Sequence, residues 1–455
     1  MRSTPDRSRS RATPSGLLVP RRIALRSGLA AFAAAFAAKS FGCGDDGATG
    51  TGGSGPGAGG GGPTGTGSTG IGGAGGQGGG AASPFPARDV PARPALRSLI
   101  AQVGELGEPD AIGLRLPPGF TARVVARTDE APVAGAPPWH LLPDGGATFA
   151  TADGGWIYTS NSEMLVGGGA SALRFDADGV LVDAYRILEG TSTNCAGGPT
   201  PWHTWLSCEE TIRGQVFECD PWGEVAAIAR PALGVFKHEA ATIDPDRAHV
   251  YLTEDQEDGR LYRFVPDALT ADGHPDLAAG TLEVAVVAEG GAVTWVALPD
   301  PQLAGGTPTR EQVPGATVFE GGEGIWYHQG VVYLATKGDN RVWAYDVEAA
   351  RMSILYDRAV AADPEALKGV DNLTVSCCGD VLVAEDGGSM QVVAVLPDGT
   401  LRPLVQVTGH GGSEITGPAF DPSGTRLYFS SQRGADGGGG IGVTYEITGP
   451  FHEPA

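Results

Sequence analysis

Positive charge is scarce in this chain: 31 Lys and Arg stand against 53 Asp and Glu, for a net charge of −22. Residues 1–42 hold seven Arg and one Lys against Asp6 alone, so that segment is +7 and the rest of the chain −29. Nucleic acid is held by clusters of Lys and Arg, and so acidic a body excludes it as a partner. It favours instead a soluble surface and sites for cations. Apolar runs are short as well. Ser27–Ala38, SGLAAFAAAFAA, is twelve residues long, whereas a helix across a bilayer needs about 20. Helical periodicity is missing beyond short pieces near Ala95–Ala101 and Asp363–Leu367, which predicts a nearly all-β fold. Cysteine is rare, with six in 455 residues.

What is present begins with the N-terminus. A basic stretch, a short apolar run and small residues before Cys43 form an export signal over 1–42. The pair Arg21-Arg22 resembles a twin-arginine signal; an ordinary secretory signal is the competing reading. Ser40-Phe-Gly-Cys43 resembles a lipoprotein cleavage box, which makes Cys43 the lipidated residue and the only attachment to a membrane. Residues 43–83 are nearly all Gly, Thr, Ser and Ala and bury too little apolar surface to order, so they read as a flexible tether. The expected location is therefore outside the cytoplasm, in the periplasm or cell envelope. Cys43 aside, five thiols remain. An odd number in an oxidising compartment leaves at least one unpaired or metal-bound. Cys208 and Cys219 fall on adjacent predicted strands with a spacing suited to a hairpin cross-link, and Cys195 is the odd one out.

Residues 84–455 are built on a repeat. Six β-branched or aromatic runs recur, Trp156–Ser160, Thr204–Cys208, Val250–Glu254, Val332–Thr336, Val381–Glu385 and Leu427–Ser431, with start-to-start spacings of 48, 46, 82, 49 and 46. One long interval aside, this is the period of a propeller blade. Each of the first five runs is followed by a turn and another strand, such as Arg260–Phe264 or Arg341–Tyr345. The expected fold is a six-bladed β-propeller, with the segment starting at Phe120 helping to close the ring and residues 267–315 forming an outer-strand excursion. A seventh blade in that excursion is the alternative.

Polar residues recur in register. Asn161 and Glu163, Glu209 and Glu210, Glu254 and Asp255, Lys337, Glu385 and Asp386, and Gln432 and Arg433 end equivalent runs. Asn194 and Cys195, His238 and Glu239, Glu323, and Asp371 and Asn372 form a second set that precedes them. Both sets are expected to ring one end of the channel. Clustered carboxylates raise one another's pKa unless cations neutralise them. Carboxylate oxygens suit calcium, and a thiolate among them calls for a softer or redox-capable ion such as iron or zinc. Any single Glu after a strand is usually a solvated loop residue. His238 alone is as readily a turn cap, Cys195 a small buried hydrophobe, and Trp202, Trp205, Trp326 and Trp343 blade packing. Repetition in register is what favours a site.

The strings NCAGG from Asn194, TPWHTWLSCEE from Thr200, KHEAA from Lys237 and YLTED from Tyr251 together resemble the PhoX-type alkaline phosphatases. EGIW from Glu323, DNLTV from Asp371, AED from Ala384 and GPAF from Gly417 continue the resemblance, which covers roughly residues 161–433. It implies a six-bladed propeller, a calcium and iron (Fe3+) cluster in the channel, a cysteine bridging two ferric ions, and hydrolysis of small phosphomonoesters. Cys195 would be that bridge. Glu210, Glu239, Glu323 and Asp371 would be metal ligands, with Glu209, Glu254, Asp255, Glu385 and Asp386 as further candidates. Lys337 and Arg433 are expected to contact the phosphoryl group, and balancing the charge of the carboxylate ring is the plainer role for both. Two positions depart from the family: Ser162 stands where His is expected, and His203 replaces a glycine. The expected protein is a monomer. The competing functions are a non-catalytic, lipid-tethered calcium-binding propeller and a lactonase-like calcium hydrolase, neither of which needs Cys195.

Overall fold

The structure, a computed structural model, describes residues 82–435, 437 and 440–455. The export signal, Cys43 and nearly all of the expected tether lie outside these residues. Among the described residues no helix is long and apolar enough to cross a membrane.

Six antiparallel sheets follow one another along the chain and form a six-bladed propeller. Blade 1 spans Pro143–Thr191, blade 2 Asn194–Ala229, blade 3 His238–Ala297, blade 4 Gly322–Asp357 and blade 5 Val370–Val407. Blade 6 takes three strands from Ile415–Thr448 and its outermost from Thr121–Arg127, so the two ends of the domain share one sheet. Strand Leu96–Ser98 pairs with His452–Pro454 as a second tie between them. The 82-residue interval is explained by blade 3, whose fourth and fifth strands, Gly280–Val287 and Val293–Ala297, are the outer excursion; among the described residues there is no seventh blade. The expected helical pieces reduce to one 3₁₀ turn, Ile100–Gln102, while 363–367 is a series of turns.

The core is divided among the blade interfaces. Six apolar clusters are buried, one between each pair of neighbours; Leu206, Ile243 and Tyr262, for example, join blades 2 and 3. Full burial of such a side chain contributes about 1.5–3 kcal/mol, so alternation of apolar residues on both faces of every blade is sufficient to hold the ring. The six runs recognised by their repeat are the second strands of the blades. The innermost strands precede them and carry the second polar set: Pro143–Ala150, Asn194–Pro199, His238–Asp244, Gly322–His328, Val370–Val375 and Ile415–Phe420.

The sequence's cross-link is not made. Cys208 pairs in register with Val216, and Cys219 with Trp205, so the two thiols are three register steps apart and beyond the reach of a disulfide. His203 has φ 66°, a left-handed conformation that a glycine adopts at no steric cost, which accounts for the residue the family pattern has there. Because Thr121–Arg127 closes the ring from the far end of the chain, a protein starting after residue 127 should lose its cooperative thermal transition. Retention of one sharp transition at the full-length temperature would show that closure does not depend on this strand.

Candidate metal centre

The same irregularity occurs in the innermost strand of every blade. Between Pro143 and Gly146, Asn194 and Gly197, His238 and Ala241, Gly322 and Ile325, Val370 and Leu373, and Thr416 and Ala419, two residues oppose one residue of the second strand. These are β-bulges, which re-aim a side chain out of the pleat. Their first residues are Asp144, Cys195, Glu239, Glu323, Asp371 and Gly417. Five blades thus turn an acid or a thiol toward the axis at one level. Blade 6 has no room for one, because a Cβ on Gly417, already at φ +58°, would stand 2.7 Å from the Asp144 carbonyl and 2.8 Å from the Tyr158 hydroxyl. Glu414, from the loop before that strand, comes in instead.

The residue after each second strand forms another layer: Glu163, Glu210, Asp255, Lys337, Asp386 and Gln432. Side chains alternate along a strand, which separates these from their predecessors. Glu209, Glu254 and Glu385 point away, and the structure does not bring them to the cluster. Glu209 accepts from the backbone of Ser192 and Gln215, Glu385 from the backbone of Lys368, Ser389 and Gln391, and Glu254 from the Tyr262 hydroxyl at 2.7 Å, with Arg310 3.5 Å away. All three lock turns. His238 also faces outward, its Nε2 donating to the Gly234 carbonyl over 3.1 Å and its ring packing on Phe236.

Seven of the ten expected ligands therefore converge: Cys195, Glu210, Glu239, Asp255, Glu323, Asp371 and Asp386. Cys195 Sγ is 3.2 Å from Glu239 Oε1. Ligand atoms of Glu163, Cys195 and Glu210 lie within 4.8 Å of one another, as do those of Glu239, Glu323 and Asp371, of Asp144, Glu163 and Glu414, and of Asp371, Asp386 and Glu414. Asp144 and Glu414 are the residues that sequence reasoning missed. Asp144 sits in DGG where blades 2, 3 and 4 have CAG, EAA and EGI, so an acid or Cys followed by a small residue was the available signal in these four blades; blade 5 has DNL. The small residue is required: a Cβ on Gly145 would fall 2.5 Å from Ala196 Cα, and one on Gly324 2.2 Å from the Leu373 nitrogen.

Three cations meet these nine carboxylates. Lys237 Nζ bridges Glu210 at 2.5 Å and Asp255 at 2.9 Å. Lys337 Nζ lies 2.9 Å from Glu323, 3.0 Å from Asp371 and 3.4 Å from Asp386. Arg433 pairs with Glu414 at 3.0 Å. Six negative charges remain uncompensated, and burial adds to their cost. Burial first, then neighbouring carboxylates, pushes Asp144, Glu239, Glu323 and Glu414 well above the ordinary range and raises the Cys195 thiol. Glu210, buried and only partly relieved by Lys237, is pushed up to about 9. Against burial, Glu210 and Lys237 hold Asp255 below its usual value.

Such a donor set fits cations. Carboxylate oxygens in this number suit hard divalent ions, and one thiol among them suits a softer ion. Gln432 is fully buried with its Nε2 donating to Asp144 at 2.5 Å and Glu163 at 2.8 Å, while its Oε1 has no partner, an orphaned acceptor at the edge of the cluster. The bulges are held firmly. Asn161 donates to the carbonyls of Cys195 at 3.1 Å and Ala196 at 2.8 Å and accepts from Trp205 and Ser207, each at 2.9 Å. Its amide thus ties the bulge that presents the thiol to the second strand of blade 2.

Residues 150–366 match the family model described as alkaline phosphatase PhoX. Over those residues the chain is PhoX-like. The solved structure of Pseudomonas fluorescens PhoX in complex with vanadate, a transition state analogue, is 18% identical, covers 76% of this chain and 98% of its own, and superposes with a TM-score of 0.63. At that identity the likeness shows the shared propeller fold. A gluconolactonase from Xanthomonas campestris is 14% identical over 80% of this chain and 98% of its own, with a TM-score of 0.38, too low to support an argument. No curated protein sequence matches this chain.

Two outcomes follow. Asn161→Ala strips four partners at once and should lower stability by about 2–4 kcal/mol in denaturant titration; a change under about 0.5 kcal/mol would mean the bulge holds itself. In chelated protein, Glu210 has its proton held more tightly folded than unfolded, so stability is greatest at low pH and falls as pH rises from 4.5 through about 9. Melting temperature should therefore drop between pH 5 and pH 9 without metal and lose that slope when metal is restored, since metal displaces the same protons; a metal-free protein more stable at pH 9 would contradict the assigned burial.

Proposed function

We propose that this protein is a metal-dependent phosphomonoesterase working at the bulge ring. The observation that supports this most strongly is the buried contact of Cys195 with Glu239 among acids from all six blades, inside a segment of PhoX pattern. Calcium, held by the carboxylates, and iron, held with the Cys195 thiolate, are the ions the donor set suits. Bound cations at such a site neutralise phosphoryl oxygens and stabilise charge on the attacking and leaving oxygens.

The chain's own residues have separate tasks. Asp144, Glu239, Glu323 and Asp371, together with Glu163, Glu210, Asp255, Asp386 and Glu414, are the residues that would hold cations. Asn161 fixes the Cys195 bulge. Lys337 and Arg433, each about a third exposed, would be freed to contact a phosphoryl group if cations neutralised the carboxylates they now pair with. A phosphate dianion would otherwise be repelled by nine acids facing three cations, so catalysis requires metal on this account. The substrate is a small phosphorylated molecule. Residues 1–42 export the protein, and a lipid on Cys43 holds it to the cell envelope.

A second reading, a calcium-binding propeller without catalysis, draws support from Lys337, which already spans three acids and reduces the number of ions the ring needs. The two are separated by turnover of a chromogenic phosphate ester before and after chelation. Wild-type protein should hydrolyse it and lose activity with the chelator. Cys195→Ser and Glu239→Gln should each lower kcat/KM by about 10²-fold or more. Metal-loaded protein without turnover, or full activity in Cys195→Ser, would overturn the phosphatase reading.

A further inference from the structure

The opposite end of the propeller holds a second group of metal-ligand side chains. The turn of residues 376–380 joins the innermost and second strands of blade 5, at the end of the channel away from the bulge ring. It brings Cys377 and Cys378 next to His452, whose strand pairs with Leu96–Ser98. Ligand atoms of these three residues lie within 4.8 Å of one another. Cys377 and His452 line a small cavity, shared with Arg93, Thr374, Asp421 and Gly424.

Three features point to a cation. First, His452 is buried and its Nδ1 is 2.7 Å from the Gly424 carbonyl. A carbonyl only accepts, so Nδ1 carries the proton and Nε2 presents a lone pair, the arrangement by which metal-binding histidines are usually oriented. That Nε2 is buried without a hydrogen bond. Second, the Cys377 and Cys378 sulfurs are 3.8 Å apart. A disulfide needs about 2.05 Å, whereas two thiolates on one tetrahedral zinc, each at about 2.3 Å, stand about 3.8 Å from each other. Third, a carboxylate stands on the same side as that nitrogen: Asp380 Oδ2 is 3.6 Å from Nε2 and is itself held by the Ser376 hydroxyl at 2.5 Å, while its Oδ1 accepts from Ser98 at 2.9 Å. Two sulfurs and an imidazole are a zinc set, quite unlike the oxygen-rich ring above.

We propose that Cys377, Cys378 and His452 form a zinc site that pins the paired chain ends, Leu96–Ser98 and His452–Pro454, to blade 5, with Asp380 or a water from the cavity as the fourth donor. The site is independent of the phosphatase reading. It joins segments more than 280 residues apart in sequence, Ser98 and Asp380 among them, and so adds to the closure made by Thr121–Arg127. The competing arrangement is a protonated His452 paired with Asp380 and no metal.

Cobalt(II) serves as the probe. Full-length protein carrying Cys195→Ser, which removes the only thiol of the upper ring, is stripped and titrated with cobalt. The site predicts thiolate-to-cobalt charge transfer in the near ultraviolet and strong tetrahedral d–d bands, both displaced by one equivalent of zinc. Cys377→Ser, Cys378→Ser and His452→Gln in that background should each abolish the charge-transfer band or weaken it at least tenfold, whereas Glu239→Gln in the upper ring should leave it intact. Zinc should also raise the melting temperature of the Cys195→Ser protein and leave that of Cys377→Ser unmoved. Absence of the band in folded Cys195→Ser protein, its persistence in Cys377→Ser, or a peptide map showing a Cys377–Cys378 disulfide in protein purified without reductant would overturn the proposal.

Discussion

Repulsion between buried acids is the constraint on which the rest of this structure depends. Nine carboxylates and a thiol share one end of a channel with three side-chain cations. Two unit charges 4 Å apart interact by about 4 kcal/mol at an effective dielectric of 20. A domain's net stability is about 5–15 kcal/mol, so several uncompensated pairs would exceed it. The ring can persist only if the acids take up protons or share cations, and the elevated pKa values of Asp144, Glu239, Glu323 and Glu414 express the first alternative when the second is withheld.

The fold applies force against that repulsion by repeating one local device. A bulge in each innermost strand aims a side chain at the axis in five of the six blades, and in blades 1 to 4 a Gly or Ala after it lets adjacent blades approach to contact. The six apolar clusters between blades act at larger radius and do not change with protonation. Rigid packing outside and concentrated charge inside together give a preformed site.

Much of this was legible in the sequence and some was not, for physical reasons. The period of the second strands was visible because each is a run of β-branched and aromatic residues buried on both faces. The innermost strands are interrupted by bulges, and those of blades 1, 2 and 4 carry paired or near-paired glycines, so they leave no such trace, and Asp144 in its DGG context passed unnoticed while Glu323 and Asp371 did not. Adjacent acids at the strand ends were legible as a group, but which of each pair faced the axis was not. Alternation separates Glu210 from Glu209 and Asp386 from Glu385, and its phase depends on where the bulge falls. The proposed cross-link between Cys208 and Cys219 failed on register, which spacing alone does not fix. Cys377 and His452 could not be associated at all, because only closure of the ring brings the ends of the domain together.

The two ends of the channel thus differ in kind: oxygen donors with one sulfur above, two sulfurs with one imidazole below. The central claim concerns the upper end, that its acids coexist by sharing cations. The most direct measurement is a crystal structure of the exported protein with anomalous difference maps collected on either side of the iron edge. The account predicts axial peaks bounded by Cys195, Glu239, Glu323 and Asp371, at least one of them vanishing below that edge, and Lys337 displaced from one or more of its three acids. Water alone on the axis, with Lys337 still bridging Glu323, Asp371 and Asp386, would contradict it.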